Sequence, residues 1–156
     1  MRSESFGYVW SSAGAQQTDE NNRAFRNWGI VPSRMVRSDF LDMQTSLFGR
    51  EYDYPIATAP VGVQKIFHMT VSSRPHGRQR GRRHVHWSTV SSTSIEDEAA
   101  ANASGVRWYQ LYWPQHQHND ITISLLERAK EAGHEVLVVT LDYFISGWRP
   151  SDLDNG

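Results

Sequence analysis

The 156-residue chain contains no cysteine, which excludes disulfides, thiolate metal centres and a cysteine nucleophile. It contains no apolar run of the roughly 18 residues that a membrane-crossing helix needs. The opening Met1-Arg2-Ser3-Glu4-Ser5 lacks the apolar stretch of a secretory signal, so the expectation is a cytoplasmic protein with no membrane partner. Without export, Asn102-Ala103-Ser104 reads as a chance match to the glycosylation sequon. Aliphatic side chains are sparse. Hydrophobic residues make up 38%, and six Trp, six Tyr and six Phe offset part of the deficit. The length sets a single domain as the expectation.

A strong charge imbalance is also missing: 16 basic residues face 17 acidic ones, for a formal net charge of -1. The distribution is uneven. Arg74, Arg78, Arg80, Arg82 and Arg83 lie within ten positions, and without them the remainder is acidic, unlike a nucleic-acid-binding domain. Residues 69–87, MTVSSRPHGRQRGRRHVHW, show neither helical nor strand periodicity and read as loop or disorder.

What is present is a regular alternation in the second half. Residues 18–28 predict a short helix capped by Thr18 or Asp19, with Ala24, Phe25 and Trp28 on its apolar face. Residues 54–62, YPIATAPVG, predict a short strand bracketed by prolines, with a Pro-rich turn as the competing reading. Ser91 to Ser94 offer N-caps to a helix with Glu96, Asp97 and Glu98 in its first turn, closed by Gly105. Residues 106–111 predict a strand. A helix from Asn119 or Asp120 follows, with Ile121, Leu125, Arg128, Ala129 and Ala132 on one face and Gly133 as its stop. Residues 135–141, EVLVVTL, predict a strand covered on both faces. The unit over 106–141 has the size of a β-α-β crossover.

Both late strands end in polar residues, Gln110 and Tyr112 on one, Thr140 and Asp142 on the other. Strand alternation sends each pair to one face, and parallel pairing gathers an amide, a phenol, a hydroxyl and a carboxylate at one C-terminal rim, where β/α folds place ligands. Polar strand ends meeting an ordinary loop are the competing reading. His84-Val85-His86 and His116-Gln117-His118 have the spacing of paired zinc ligands, but neither follows an apolar strand. Both read as surface loop, and no metal is expected.

Several stretches, in order along the chain, carry a resemblance: Tyr8-Val9 with Ser11-Ser12-Ala13-Gly14, Asn22-Arg23-Ala24-Phe25, Ile30-Val31-Pro32-Ser33-Arg34-Met35, and the run from Pro55 through Lys65. They continue with Ser88-Thr89-Val90-Ser91-Ser92-Thr93-Ser94-Ile95-Glu96, Trp108-Tyr109-Gln110-Leu111-Tyr112, Arg128-Ala129-Lys130-Glu131-Ala132-Gly133, Thr140-Leu141-Asp142, and Gly147-Trp148-Arg149-Pro150-Ser151-Asp152-Leu153. Together these resemble the FMN-dependent α-hydroxy acid oxidases and dehydrogenases, nearest to the lactate 2-monooxygenase-like branch. The resemblance implies a (β/α)8 TIM barrel with FMN at its C-terminal rim. A whole barrel takes about 250 residues, so residues 1–156 are expected to form an α/β partial barrel, roughly its first half, interrupted by the irregular Arg-rich segment. It further implies that Pro60, Val61 and Gly62 line the flavin ring, that Ser88, Gln110 and Thr140 make polar contacts to it, and that Tyr8, Tyr112 and Arg149 hold the substrate. Tyr112 and Asp142 are implied in catalysis, Asp142 as the carboxylate that orients a histidine base.

The implied reaction is oxidation of a small L-2-hydroxy acid such as lactate to the 2-oxo acid, with homo-oligomers in a full-length protein. In the family the histidine base follows the segment matched here, so this polypeptide is expected to bind FMN weakly or not at all and to show no turnover. Residues 69–87 depart from the family's acidic, Ala-rich character, as expected of a stretch read out of frame or mis-spliced. The alternative is a non-catalytic fragment or interaction protein whose Arg-rich segment binds nucleic acid.

Overall fold

The computed structural model describes residues 2–10, 17–37, 39, 42–68, 84–143, 145 and 147–154. The expected disorder of residues 69–83, and the arginines of that stretch, lie outside the described residues. The chain divides into two compact units, one formed by residues 1–42 and 145–156, the other by residues 43–144.

The first unit contains helices α1 (Ser3–Trp10), α2 (Gln17–Arg26) and the short α5 (Pro150–Leu153). Phe6 and Trp10, one helical turn apart, stack with ring centroids 5.7 Å apart. The helix expected over residues 18–28 is present as α2, but Phe25 and Trp28 stay in solvent. Trp28 lies beyond the helix end, so the two rings do not form the expected apolar face.

The second unit is an α/β structure. Strands β1 (Thr45–Leu47) and β2 (Arg50–Tyr52) form an antiparallel hairpin. Its two turn residues both adopt left-handed backbone, Phe48 at φ 52° and Gly49 at φ 75°, the requirement of the turn that matches strand twist. A second sheet holds β3 (His84–Ser88), β4 (Val106–Tyr112) and β5 (Val136–Thr140), parallel and in that order. Helix α3 (Ile95–Asn102) joins β3 to β4, and α4 (Asn119–Glu131) joins β4 to β5. The crossover expected over 106–141 is therefore present, with a short 3-10 turn at His116–His118 ahead of α4.

Local chemistry sets the helix ends. The Ser94 hydroxyl accepts the Asp97 backbone N–H at 3.0 Å, an N-cap. Helix α3 ends at Asn102, short of Gly105, because Ala103 turns to φ 50°. Arg107 then donates to the Ala99 and Ala103 carbonyls at 3.0 and 2.7 Å, satisfying acceptors the helix leaves open. The Asn102 amide donates to the Val106 carbonyl at 3.3 Å, so the sequon's asparagine is engaged in this turn. At the end of α4, Gly133 at φ 78° donates to Lys130, and His134 donates to Ala129. This pair of bonds is the Schellman arrangement that a C′ glycine permits.

Alternation along the strands separates two faces. Trp87, Tyr109 and Leu111 pack with Ile95 and Ala129, with Leu125, Leu126 and Ala132 around them. This is the helix-covered core. The opposite face carries Val106 and Trp108, packed with Tyr52 of the hairpin and with Val136 and Val138. An ion pair between Arg50 and Glu135 joins β2 to the start of β5.

Four sequence expectations change. Residues 84–87, expected as loop, form β3 together with Ser88 and pair in full register with β4. Pairing to a neighbouring strand specifies β3, where its own composition does not. Residues 54–62 do not form a strand; a single bridge at Thr58 accepts the His86 N–H at 3.3 Å. Leu125, Ala129 and Ala132 of the expected α4 face pack in the core, but Thr122 is buried there while Ile121 and Arg128 are exposed. β5 is not covered on both faces, because Leu137 remains 44% exposed.

Candidate functional site

β3, β4 and β5 run in the same direction, so their C-terminal ends share one rim. Ser88 pairs across from Gln110, and Tyr112 pairs across from Thr140. Ser88, Gln110 and Thr140 therefore lie on the face opposite the helix-covered core. A continuous row of hydrogen bonds connects them. The Ser88 hydroxyl donates to Gln110 Oε1 at 3.1 Å, and Gln110 Nε2 donates to Thr140 Oγ1 at 2.9 Å. Ser88 and Gln110 are buried, at 4% and 2% exposure. Neutral groups are the form in which buried polarity is sustainable once hydrogen-bonded.

Residues 60–63 are tied beside this rim. Val63 donates to the Val90 carbonyl at 3.0 Å, Lys65 N–H donates to Ser92 Oγ at 3.2 Å, and Gln64 Nε2 folds back on the Val61 carbonyl at 3.1 Å. Gly62 is required by proximity: a Cβ there would lie 2.4 Å from Val90 Cγ2. Val61 is exposed beside it, and Val63 adopts left-handed backbone at φ 45°.

The remaining expected residues fall in two groups. In the second unit, Tyr112 meets Tyr143, ring centroids 4.9 Å apart and tilted by 52°, and Asp142 is exposed just past β5. In the first unit, the Arg149 guanidinium carbon sits 4.7 Å from the centroid of the Tyr8 ring, a cation–π contact that orients the guanidinium. Sequence reasoning missed Tyr143 and Thr89. Tyr143 directly follows Asp142, and Thr89 directly follows Ser88, so adjacency to an expected residue was the available signal.

A cleft of about 290 Å³ opens on the same face of the sheet, lined by Tyr52, Tyr54, Ile56, His86 and Trp108 among others. It contains none of the expected site residues. His86 stacks on Trp108 at 4.7 Å, and burial lowers its pKa. This part of the face is aromatic packing around the His86 ring, whereas the rim is a polar row.

A parallel α/β sheet with a hydrogen-bonded row of polar side chains along its C-terminal rim defines a β/α fold of the kind that binds cofactors at strand ends. The sequence matches the FMN-dependent dehydrogenase family over residues 1–156, and the chain belongs to that family. It is 51% identical over 164 residues to an FMN-dependent alpha-hydroxy acid dehydrogenase of Schizosaccharomyces pombe, covering 100% of this chain and 39% of that protein. It is 38% identical over 153 residues to an L-lactate oxidase of Lysinibacillus sphaericus, covering 96% of this chain and 39% of the relative. The fold is similar to that of a mandelate oxidase crystallised with 3,3-difluoro-2-hydroxy-3-phenylpropionic acid. That match has a TM-score of 0.83 at 28% identity and covers 99% of this chain and 46% of the other. The chain thus spans about two-fifths of the length of the curated relatives it matches. Among the described residues, no helix is long and apolar enough to cross a membrane.

Proposed function

We propose that the chain forms the ring-facing and substrate-facing part of an FMN-dependent oxidoreductase that converts small L-2-hydroxy acids, lactate-like in size, to 2-oxo acids. In this reading β3, β4 and β5 are consecutive staves of a (β/α)8 barrel. The observation that carries it is the row Ser88–Gln110–Thr140 across three parallel strand ends, in a chain of this family. A buried hydroxyl, a buried amide and the half-buried Thr140 hydroxyl suit the edge of a flavin ring, whose acceptors and donor alternate, and they tune it without adding a charge. FMN held there supplies the acceptor for a hydride equivalent.

The other roles belong to side chains. Arg149 grips the substrate carboxylate with its planar fork, and Tyr8 holds the guanidinium plane. The Tyr112 phenol hydrogen-bonds the substrate, and its ring is fixed by Tyr143. Asp142 stabilises the protonated form of a histidine base. We assign that base to the part of the family's domain that lies outside the residues matched here.

Titrating FMN with the purified chain tests both statements. Saturable quenching of flavin fluorescence, weakened at least tenfold by Gln110→Leu, is the expected result. Absence of quenching overturns the ring-facing assignment. Anaerobic L-lactate is expected to leave the flavin bands unbleached, and bleaching would place the base within these residues.

A further inference from the structure

We infer that Thr89 is a positioning residue that fixes the orientation of the Gln110 amide, and with it the direction in which the rim row presents its protons. Thr89 grips the end of β4 at three points. Its N–H donates to the Gln110 carbonyl at 3.0 Å, and its hydroxyl donates to the same carbonyl at 2.5 Å. The hydroxyl oxygen in turn accepts the Tyr112 N–H at 3.2 Å. One donor and one acceptor of the hydroxyl are thus committed, and the backbone of Thr89 has little freedom to turn.

That constraint acts on the Gln110 side chain. The Thr89 N–H lies 3.4 Å from Gln110 Oε1 as well as 3.0 Å from the Gln110 carbonyl. A fixed N–H at that place favours the amide oxygen on the β3 side and repels the amide NH₂. The Ser88 hydroxyl donates to the same oxygen. The NH₂ must therefore face β5, where Thr140 Oγ1 accepts it at 2.9 Å. The two ends of the row then differ. Ser88 donates its O–H to Gln110 and presents lone pairs. Thr140 accepts an N–H from Gln110 and keeps its own O–H for a ligand acceptor. A row of three neutral side chains, each able in isolation to point either way, acquires a single polarity from the backbone of the residue beside it. The consequence for FMN rests on the function proposed above; the orientation of the amide does not.

Hydrogen exchange and NMR of the full chain test the inference. In the wild type, the Gln110 side-chain amide protons should exchange at least tenfold more slowly than those of exposed Gln115, and equal rates would overturn the inference before any variant is made. Thr89→Ser keeps the hydroxyl and should leave the Gln110 amide shifts and the Tyr112 exchange rate within twofold of wild type. Thr89→Val keeps the shape and should speed Tyr112 exchange at least tenfold and shift the two Gln110 amide protons. Wild-type values at both residues in Thr89→Val would overturn it. In FMN titrations, Thr89→Val should weaken quenching and move the bound flavin's absorption bands, with Thr89→Ser restoring both. If the wild type fails to quench FMN while the exchange results hold, the flavin reading fails and the positioning role stands.

Discussion

The two units handle their apolar residues in opposite ways. In the second unit Val106, Tyr109 and Leu111 are nearly sealed from water, on two faces of one sheet. In the first, α1 contains no buried residue, and Ile30, Val31 and Met35 are almost fully exposed. Apolar side chains are present in both, but among the described residues only the second has a sheet, wide enough to give its strands two faces to fill. An apolar residue becomes core when a partner surface exists for it; helical spacing alone does not supply one.

The sharpest way to break this contrast is to truncate one residue from each unit. Leu111→Ala should cost about 2–5 kcal/mol, because it opens a cavity in a packed core. Ile30→Ala should change stability by no more than about 0.5 kcal/mol, as exposed sites do. Urea unfolding of the two variants compares them directly, and equal losses would erase the distinction.

A smaller effect comes from filling space in the second unit. Gly62→Ala should cost about 1–3 kcal/mol through the clash with Val90. Adding Val90→Ala should return most of it, measured as recovery of the thermal midpoint. Additive losses would show that Gly62 serves some need other than room.

Of similar or smaller size is a pH effect confined to the second unit. Burial pushes the Glu98 carboxyl up to about 7, with Arg107 working against it. A carboxyl raised in the folded state contributes stability that is full below its unfolded pKa, and that stability is lost as pH rises through about 7. His134 is shifted the other way, lowered first by burial and opposed by its bond to Ala129, so its contribution is lost toward acid. Melting should therefore weaken from pH 6 to pH 8 by about 1 kcal/mol, and Glu98→Gln should flatten that alkaline limb. An unchanged slope in the variant would assign the loss to another group.

The smallest effect concerns the α3–α4 surface. Arg128 grips Glu96 through two bonds, at 2.8 and 2.9 Å, and this pairing holds the Glu96 carboxyl at about 2. The pair is exposed, so Arg128→Ala should shift the melting temperature only slightly, and 1 M salt should abolish the difference.

How much of this was legible in the sequence follows from the same contrast. The stretch from β4 through β5 was readable because each element carries its own signal: the apolar run of β5, the face containing Leu125 and Ala129, and the stop at Gly133. The Ser94 cap was readable for the same reason. β3 was not, since His84-Val85-His86-Trp87-Ser88 mixes imidazoles with one aromatic and one aliphatic, and only β4 beside it makes it a strand. The rim row was half legible. Gln110 and Thr140 stood out as polar strand ends, whereas Thr89 acts through contacts to the β4 backbone, for which adjacency to Ser88 was the only signal in the sequence. The hairpin was missed because its turn places Phe48, rather than glycine, Asn or Asp, at the first left-handed position.

That phenylalanine links the hairpin to the sheet thermodynamically. A bulky residue in left-handed backbone costs about 1–2 kcal/mol, and an isolated two-stranded hairpin is at best marginal in water. The Phe48 ring meets the edge of Trp108 with centroids 5.2 Å apart, a contact available only when β4 is in place. The hairpin is thus a conditional element: its turn is unfavourable alone and becomes favourable as a dependent of the sheet.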